Sequence, residues 1–308
     1  WNQLHSAKAP VFIARQQRYS GQLVQVIRDG LLACEFDPQS VRGKQVLLKP
    51  NLVEPSRLAP HMTTHPAVIQ AAAEVFRGWG ASVSVGEGPG HVRDTEQALI
   101  ESGVAEALQE SKLVFQDLNY QEIRAVGNAG KISRLGEFWF PRSVIEADLV
   151  VSMPKMKTHH WMGMTGAMKN MYGVIPGIKY GWPKNVLHYN GIPETVFDIN
   201  ASVGRTITIV DGIDCMEGDG PILGTPKRMG LILVGQNLAA VDATLARLMD
   251  IVPDRIPYLA LAADALGPIS EGKIVQRGEA WQPLAEPFLL LDRDHLRRLR
   301  DSHTHLVT

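Results

Sequence analysis

The chain has 308 residues, 45% of them hydrophobic and 20% charged, with 31 Lys and Arg against 32 Asp and Glu. That length suits one large domain or two small ones and buries a core without staples, while the balanced charge leaves no basic footprint for nucleic acid, so any charge-driven function is local. Two cysteines, Cys34 and Cys215, exclude an intrinsic four-cysteine iron–sulfur cluster or a Cys-rich zinc site; whether they pair or stay as buried thiols is open.

No run of about eighteen apolar residues occurs, so no membrane-spanning helix is expected. The chain starts at Trp1 rather than Met, and whether a removed signal segment accounts for this is open.

In chain order, Val11–Arg15 reads as a strand, Leu23–Phe36 as a helix and Gln45–Leu48 as a strand running into Lys49-Pro50-Asn51. Thr63-Thr64-His65-Pro66 offers caps and a first-turn proline for a helix over Ala67–Trp79. Ser82–Val85 is a strand before the glycine-rich turn Gly86–His91; Thr95–Leu108 reads as helix and Lys112–Leu118 closes the series. Polar, glycine-dotted residues 121–140 suggest a small antiparallel insert or flap, built on Ile123–Val126 and Glu137–Phe140. Asp148–Met153, Thr206–Val210 and Met229–Val234 are further strands, Asn237 caps a helix over Leu238–Met249, and Asp294–Arg300 is helical. The alternation predicts an α/β fold, a mostly parallel sheet with helices on both faces. The whole chain, 1–308, is expected to form one such domain, with lobes at about 1–120 and 141–308 and a cleft between them.

Ligands of open α/β sheets bind beyond the carboxyl ends of the strands. Polar groups fill those places: Lys49 and Asn51; Glu87 and His91; Lys155, Lys157, His159 and His160; Asp211, Asp214, Glu217 and Asp219. Five of the chain's twelve lysines fall between Lys155 and Lys184, which makes either a cationic wall for a carboxylate or phosphate, or a solvated basic loop. His159 and His188, with Asp211 and Glu217, form a candidate donor set for iron, zinc, nickel or manganese; the alternative is lone catalytic or structural histidines. Six of ten methionines lie between Met153 and Met171, and the spacing of Met164, Met168 and Met171 favours core over a copper site. The four carboxylates of 211–219 are expected on a tight loop facing the lysines, a metal or water, without calcium-loop spacing. Gly86–Gly90 lacks dinucleotide spacing and serves backbone approach to a ligand or a neighbouring loop. Asp242 reaches the same cleft or caps a neighbouring backbone, and His303 and His305 read as a frayed tail.

Leu47–Asn51, Thr64-His65-Pro66, Pro154–His159, Ala167–Gly173, His188, Asp211-Gly212, Met216–Pro221 and Ala240–Ala243 together resemble the bacterial and archaeal "domain of unknown function" family 362. The resemblance runs from about Val46 to Ile251. It implies a metal- or iron–sulfur-associated protein, many of whose relatives carry a ferredoxin-like cysteine segment or a twin-arginine export signal. This chain lacks the cysteine segment, while its start at Trp1 fits a removed export signal, so the resemblance implies an exported, periplasmic mature chain ahead of a cytoplasmic one.

Two functions are therefore expected. The first is a metal-dependent enzyme that holds a small anionic substrate with Lys49, Asn51, Lys155 and Asn170 and reacts it through Lys157, His159, Lys169 and Glu217. Asp211, Glu217, His159 and His188 would hold the metal. The second is a non-catalytic metal- or anion-binding accessory protein, with a redox partner or a second copy of the chain as its associate. A third reading makes the charged loops an internal salt-bridge network.

Overall fold

The computed structural model describes residues 8–55, 57–301 and 306–307. His303 and His305 lie outside the described residues.

The elements begin with β1 (Ala9–Arg15), α1 (Leu23–Ala33), β2 (Gln45–Pro50), α2 (Pro66–Gly78) and β3 (Ser82–Glu87). They continue with α3 (Thr95–Glu101), α4 (Val104–Glu110), β4 (Val114–Asp117), β5 (Ile123–Gly127), β6 (Glu137–Pro141), α5 (Arg142–Glu146), β7 (Leu149–Met153), β8 (Lys155–His159) and β9 (Gly163–Thr165). Then come α6 (Ala167–Asn170), α7 (Gly177–Tyr180), α8 (Asn185–Tyr189), α9 (Ile192–Ser202), β10 (Thr206–Glu217), β11 (Thr225–Gly235), α10 (Leu238–Leu248), α11 (Pro257–Ala262) and β12 (Ile274–Gly278).

One sheet has the order β12-β1-β11-β10-β7-β2-β3-β4. Pairing is parallel from β10 through β7, β2 and β3 to β4, and antiparallel where β11 meets β10 and β1. Strands drawn from residues 1–120 and 141–308 thus interleave in the same sheet. The expected α/β class, with helices on both faces, is what forms: α1 and α2 cover one face, α6 and α10 the other, and each face has its own apolar cluster. The buried runs Val46–Leu48 and Leu149–Val151 supply residues to both clusters, as a strand covered on two sides requires.

Local chemistry explains the boundaries. The His65 Nδ1 accepts from the Ala67 N–H at 3.1 Å and Pro66 opens α2; Asn237 Oδ1 accepts from the Ala240 N–H at 2.9 Å at the start of α10. The single helix expected over Thr95–Leu108 is two, because Gly103 takes φ +74° between α3 and α4. The helix expected over Asp294–Arg300 shortens to Asp294–Arg297.

The acidic segment is not a tight loop. β10 continues as strand to Glu217 and pairs with β11 across an irregularity between Gly212 and Asp214, so the reversal falls only at 218–224. Glycine there serves a bulge rather than a turn. The insert forms as expected, with β5 antiparallel to β6. It is tied down by the fully buried Asp198 of α9, which accepts from the backbone N–H groups of Ile132 and Ser133, the Ser133 hydroxyl and the Asn128 amide at 2.6–3.0 Å. The methionines are core: Met156, Met164, Met168 and Met171 sit in one apolar cluster, spread over β8, β9, α6 and the turn after it rather than along one helix. Cys34 and Cys215 are both free and buried.

Asp242, fully buried in α10, caps α6: its carboxylate accepts from the N–H groups of Ala167 at 2.5 Å and Met168 at 3.0 Å. Burial pushes its carboxyl up to about 7 against those bonds. Asp242→Ala leaves two buried N–H groups unpaired and is expected to destabilise the fold by ~2–4 kcal/mol in a denaturant titration; a loss under ~0.5 kcal/mol would remove the capping role.

Candidate functional site: a cationic cavity at the strand carboxyl ends

β2, β3 and β8 carry their terminal polar residues to the same end of the sheet, where α6 and α8 close over them. The cavity there measures about 140 Å³ and is lined by Lys49, Asn51, Lys157, His159, Lys169, Asn170 and His188, all singled out in the sequence. His91, His160, Trp161, Thr165, Tyr172 and Lys184 complete the polar and aromatic wall. Thr165, Lys184 and Tyr172 are the members that pattern alone left unassigned. Lys184 belongs to the lysine-rich stretch and Tyr172 to the Ala167–Gly173 motif, but neither follows a strand.

Glu87 is the one carboxylate on this lining, and it is fully used. Its Oε2 accepts from Lys49 Nζ at 3.0 Å and the Leu52 N–H at 2.9 Å, its Oε1 from the Gly88 N–H at 3.0 Å. Lys49 also donates to Asn170 Oδ1 at 3.0 Å and the Pro50 carbonyl at 2.8 Å, so all three of its hydrogens are placed. The pair is 1–2% exposed, and desolvation still lowers the lysine despite Glu87. Gly173 packs directly on it: a Cβ there would stand 1.8 Å from Glu87 Oε1 and 2.4 Å from Lys49 Nζ, so only glycine fits. The Gly173 carbonyl accepts from the Gly88 N–H at 3.1 Å, so the glycine-rich turn approaches a neighbouring loop while Gly88 and Gly90 line the cavity.

The other lysines lack carboxylate partners. Lys157, fully buried, donates to the carbonyls of Met62 at 2.9 Å and Pro221 at 3.3 Å, which leaves one hydrogen over. Burial, then the charges of Lys169 and Lys155, hold it well below the usual lysine value. Lys184 donates to Asn119 Oδ1 at 3.0 Å and to the Ile175 carbonyl, and burial lowers it to about 7. Among the described residues Lys169 has no hydrogen bond or ion pair; its ammonium lies 5.1 Å from the centre of the Tyr172 ring, and desolvation, then Lys49, lower it to about 8. The basic-loop alternative therefore fails for Lys155, Lys157 and Lys184, which are buried, and holds for exposed Lys179.

His159 ends β8. Its Nδ1 accepts from the N–H groups of Trp161 at 3.1 Å and Met162 at 3.3 Å. A neutral imidazole has one such lone pair, so the proton sits on Nε2 and the ring presents a donor. Burial and the charge of Lys169 hold it well below the usual histidine value, and burial lowers His188 to about 4.

Lys155 and Asp211 form a second, separate centre. They pair at 2.6 Å, both 0% exposed, and Asp211 also accepts from the Tyr19 hydroxyl at 3.0 Å, the His65 N–H at 2.9 Å and the Ile213 N–H at 3.2 Å. Tyr19 stacks on His65 with ring centres 3.6 Å apart. Glu217 lies elsewhere, accepting from the Leu289 N–H at 2.9 Å with Lys227 at 3.7 Å. The four donors expected to share a metal are thus not gathered: His159 and His188 line the cavity, Asp211 is saturated, and Glu217 faces Lys227. The lone pair of His159 is spent on backbone, and among the described residues no three of His, Cys, Asp and Glu assemble a metal site. This donor set does not fit the metal that the resemblance implies, and no step is derived through it.

Fold and cavity together define an α/β protein with a buried lysine- and histidine-lined pocket at the carboxyl ends of its parallel strands. The chain belongs to the family described as "Domain of unknown function (DUF362)", whose model matches residues 46–247. A thylakoid-associated protein of Synechocystis sp. is 28% identical over 229 residues, 73% of this chain and 68% of that protein. Among solved structures, the lactate racemase apoprotein from Thermoanaerobacterium thermosaccharolyticum superposes with a TM-score of 0.42 at 12% identity, covering 68% of this chain and 52% of that one. No helix among the described residues is long and apolar enough to cross a membrane.

The depressed lysines fix a pH dependence. Lys169 at about 8 and Lys184 at about 7 are lowered relative to the unfolded chain, so between about pH 7 and 10 the unfolded state binds more protons than the folded one. Stability of the ligand-free protein is expected to rise with pH across that window. Denaturant midpoints measured at pH 7, 8 and 9 check the sign; a fall across the range contradicts it.

Proposed function

We propose that the cavity binds a small carboxylate or phosphate, and that the protein is an enzyme in which Lys169 exchanges a proton with that ligand. The observation that carries this reading is the mismatch of charge: Lys157 and Lys169 face a lining whose single carboxylate is already consumed by Lys49. An anion supplies the counter-charge that the protein withholds. The spare hydrogen of Lys157 and the Nε2–H of His159 are the donors for it, and a charge-assisted bond from the lysine is the stronger of the two. Lys49, Asn51 and Asn170 serve as the frame: Asn170 Oδ1 accepts from both Lys49 and Asn51 at 3.0 and 3.2 Å, while its amide donates to the Lys49 carbonyl and Ser152. Lys169, lowered to about 8 and unhindered by any hydrogen bond, is poised to give or take a proton near neutrality. Lys155 and Asp211 are assigned to holding β8, β10 and the start of α2 together. Glu217 has no part in the chemistry.

Calorimetric titration with acetate and with inorganic phosphate tests this. One anion should bind, Lys157→Met should weaken it ~10- to 100-fold by removing a charge-assisted bond, and affinity should fall as pH rises through about 8, where Lys169 loses its charge. Equal binding by wild type and variant, or no binding of either anion below pH 8, would refute the proposal.

A further inference from the structure

We propose that Lys169 is an imine-forming nucleophile, so that the ligand of the cavity is an oxo acid, a small carboxylate bearing an aldehyde or ketone carbon. This rests on the anion-binding reading above and adds a covalent step to it.

The argument is an accounting of the four cavity lysines. Lys49 places three hydrogens on Glu87, Asn170 and the Pro50 carbonyl, Lys184 places two on oxygens, and Lys157 two on carbonyls. An amine whose hydrogens are so engaged is anchored facing those oxygens rather than turned toward a ligand carbon. Among the described residues Lys169 alone of the four has no protein acceptor for its Nζ; it lines the cavity half-buried, with Lys49 as the neighbouring charge. A lysine that is desolvated and set beside other ammonium groups is the arrangement that activates an amine as a nucleophile.

Its position is also fixed. On one side the Met168 N–H is bound by Asp242; on the other the Asn170 side chain is bound to the Lys49 carbonyl and Ser152. The short helix that carries Lys169 is thereby pinned at both flanks, which removes the entropy of bringing amine and ligand together. The spare Lys157 hydrogen and the His159 Nε2–H remain for the carboxylate and the carbonyl oxygen.

The step balances within the site. The neutral Lys169 amine adds to the carbonyl carbon, its two hydrogens pass to the former carbonyl oxygen, and that oxygen leaves as water with a carbon–nitrogen double bond formed. No oxidant or reductant is consumed. Uptake of one proton gives an iminium cation, and the Tyr172 ring, 5.1 Å from the ammonium, is placed to stabilise that charge.

The test uses the whole protein with pyruvate or glyoxylate and cyanoborohydride, followed by intact mass and peptide mapping. A single reduced adduct is expected on the peptide containing Lys169, with its rate rising through about pH 8. Exposed Lys44 and Lys179 should react at least ~10-fold more slowly, because no site holds the ligand against their amines. Lys169→Arg, which keeps the charge, should abolish the adduct while still binding acetate in calorimetry. If that variant fails to fold, protection of the wild-type adduct by excess acetate gives the same answer. Labelling spread over lysines by exposure, an adduct that survives Lys169→Arg, or no adduct at all would overturn the inference. Acetate binding without an adduct refutes only the imine; an adduct without acetate binding refutes only the anion reading.

Discussion

A buried ammonium must find oxygen acceptors or a counter-charge, and this chain places more of them at one end of its sheet than it has carboxylates to answer. The two carboxylates that do answer, Glu87 and Asp211, are each consumed by one lysine and by backbone N–H groups of neighbouring loops. Those pairs knit the strand ends, so the fold survives the desolvation of Lys49 and Lys155. What is left over, Lys157 and Lys169, is an excess of positive charge in a fixed cavity. The architecture around it follows from this division: saturated pairs behind, unsatisfied cations in front.

The division also explains what could be read from the chain alone. Polar residues directly after an apolar strand announce themselves, and Lys49, Asn51, Lys157 and His159 were found that way. Lys169 and His188 stand out by the density of lysine and histidine between Met153 and His188, Asn170 only through the family motif Ala167–Gly173, and the structure brings all seven to one cavity. Strand and helix positions in the parallel part are legible because apolar strands alternate with amphipathic crossovers, and α2 and α3 open on the side-chain caps His65 and Asp94.

What was not legible is who pairs with whom. Asp211 and Glu217 lie six positions apart and look like one acidic cluster, yet β10 runs straight through them and a bulge turns their side chains to different partners. Tyr19 reaches Asp211 across 192 residues, with no local signature. Lys184 enters the wall from a left-handed backbone position, φ +66°, that no periodicity announces. The tautomer of His159 is likewise set by the backbone of the turn that follows it, and this decides whether the ring gives a lone pair or a hydrogen.

The anchoring of the antiparallel insert by Asp198 bears on how a ligand enters. Swinging residues 128–133 away would strip a wholly buried carboxylate of its four donors, at a cost of at least ~3 kcal/mol, an open population below about one in a hundred. The insert is therefore a strut rather than a lid. The cavity lining takes nothing from residues 121–140 and instead carries Trp161 of the β8–β9 turn, half exposed at the wall.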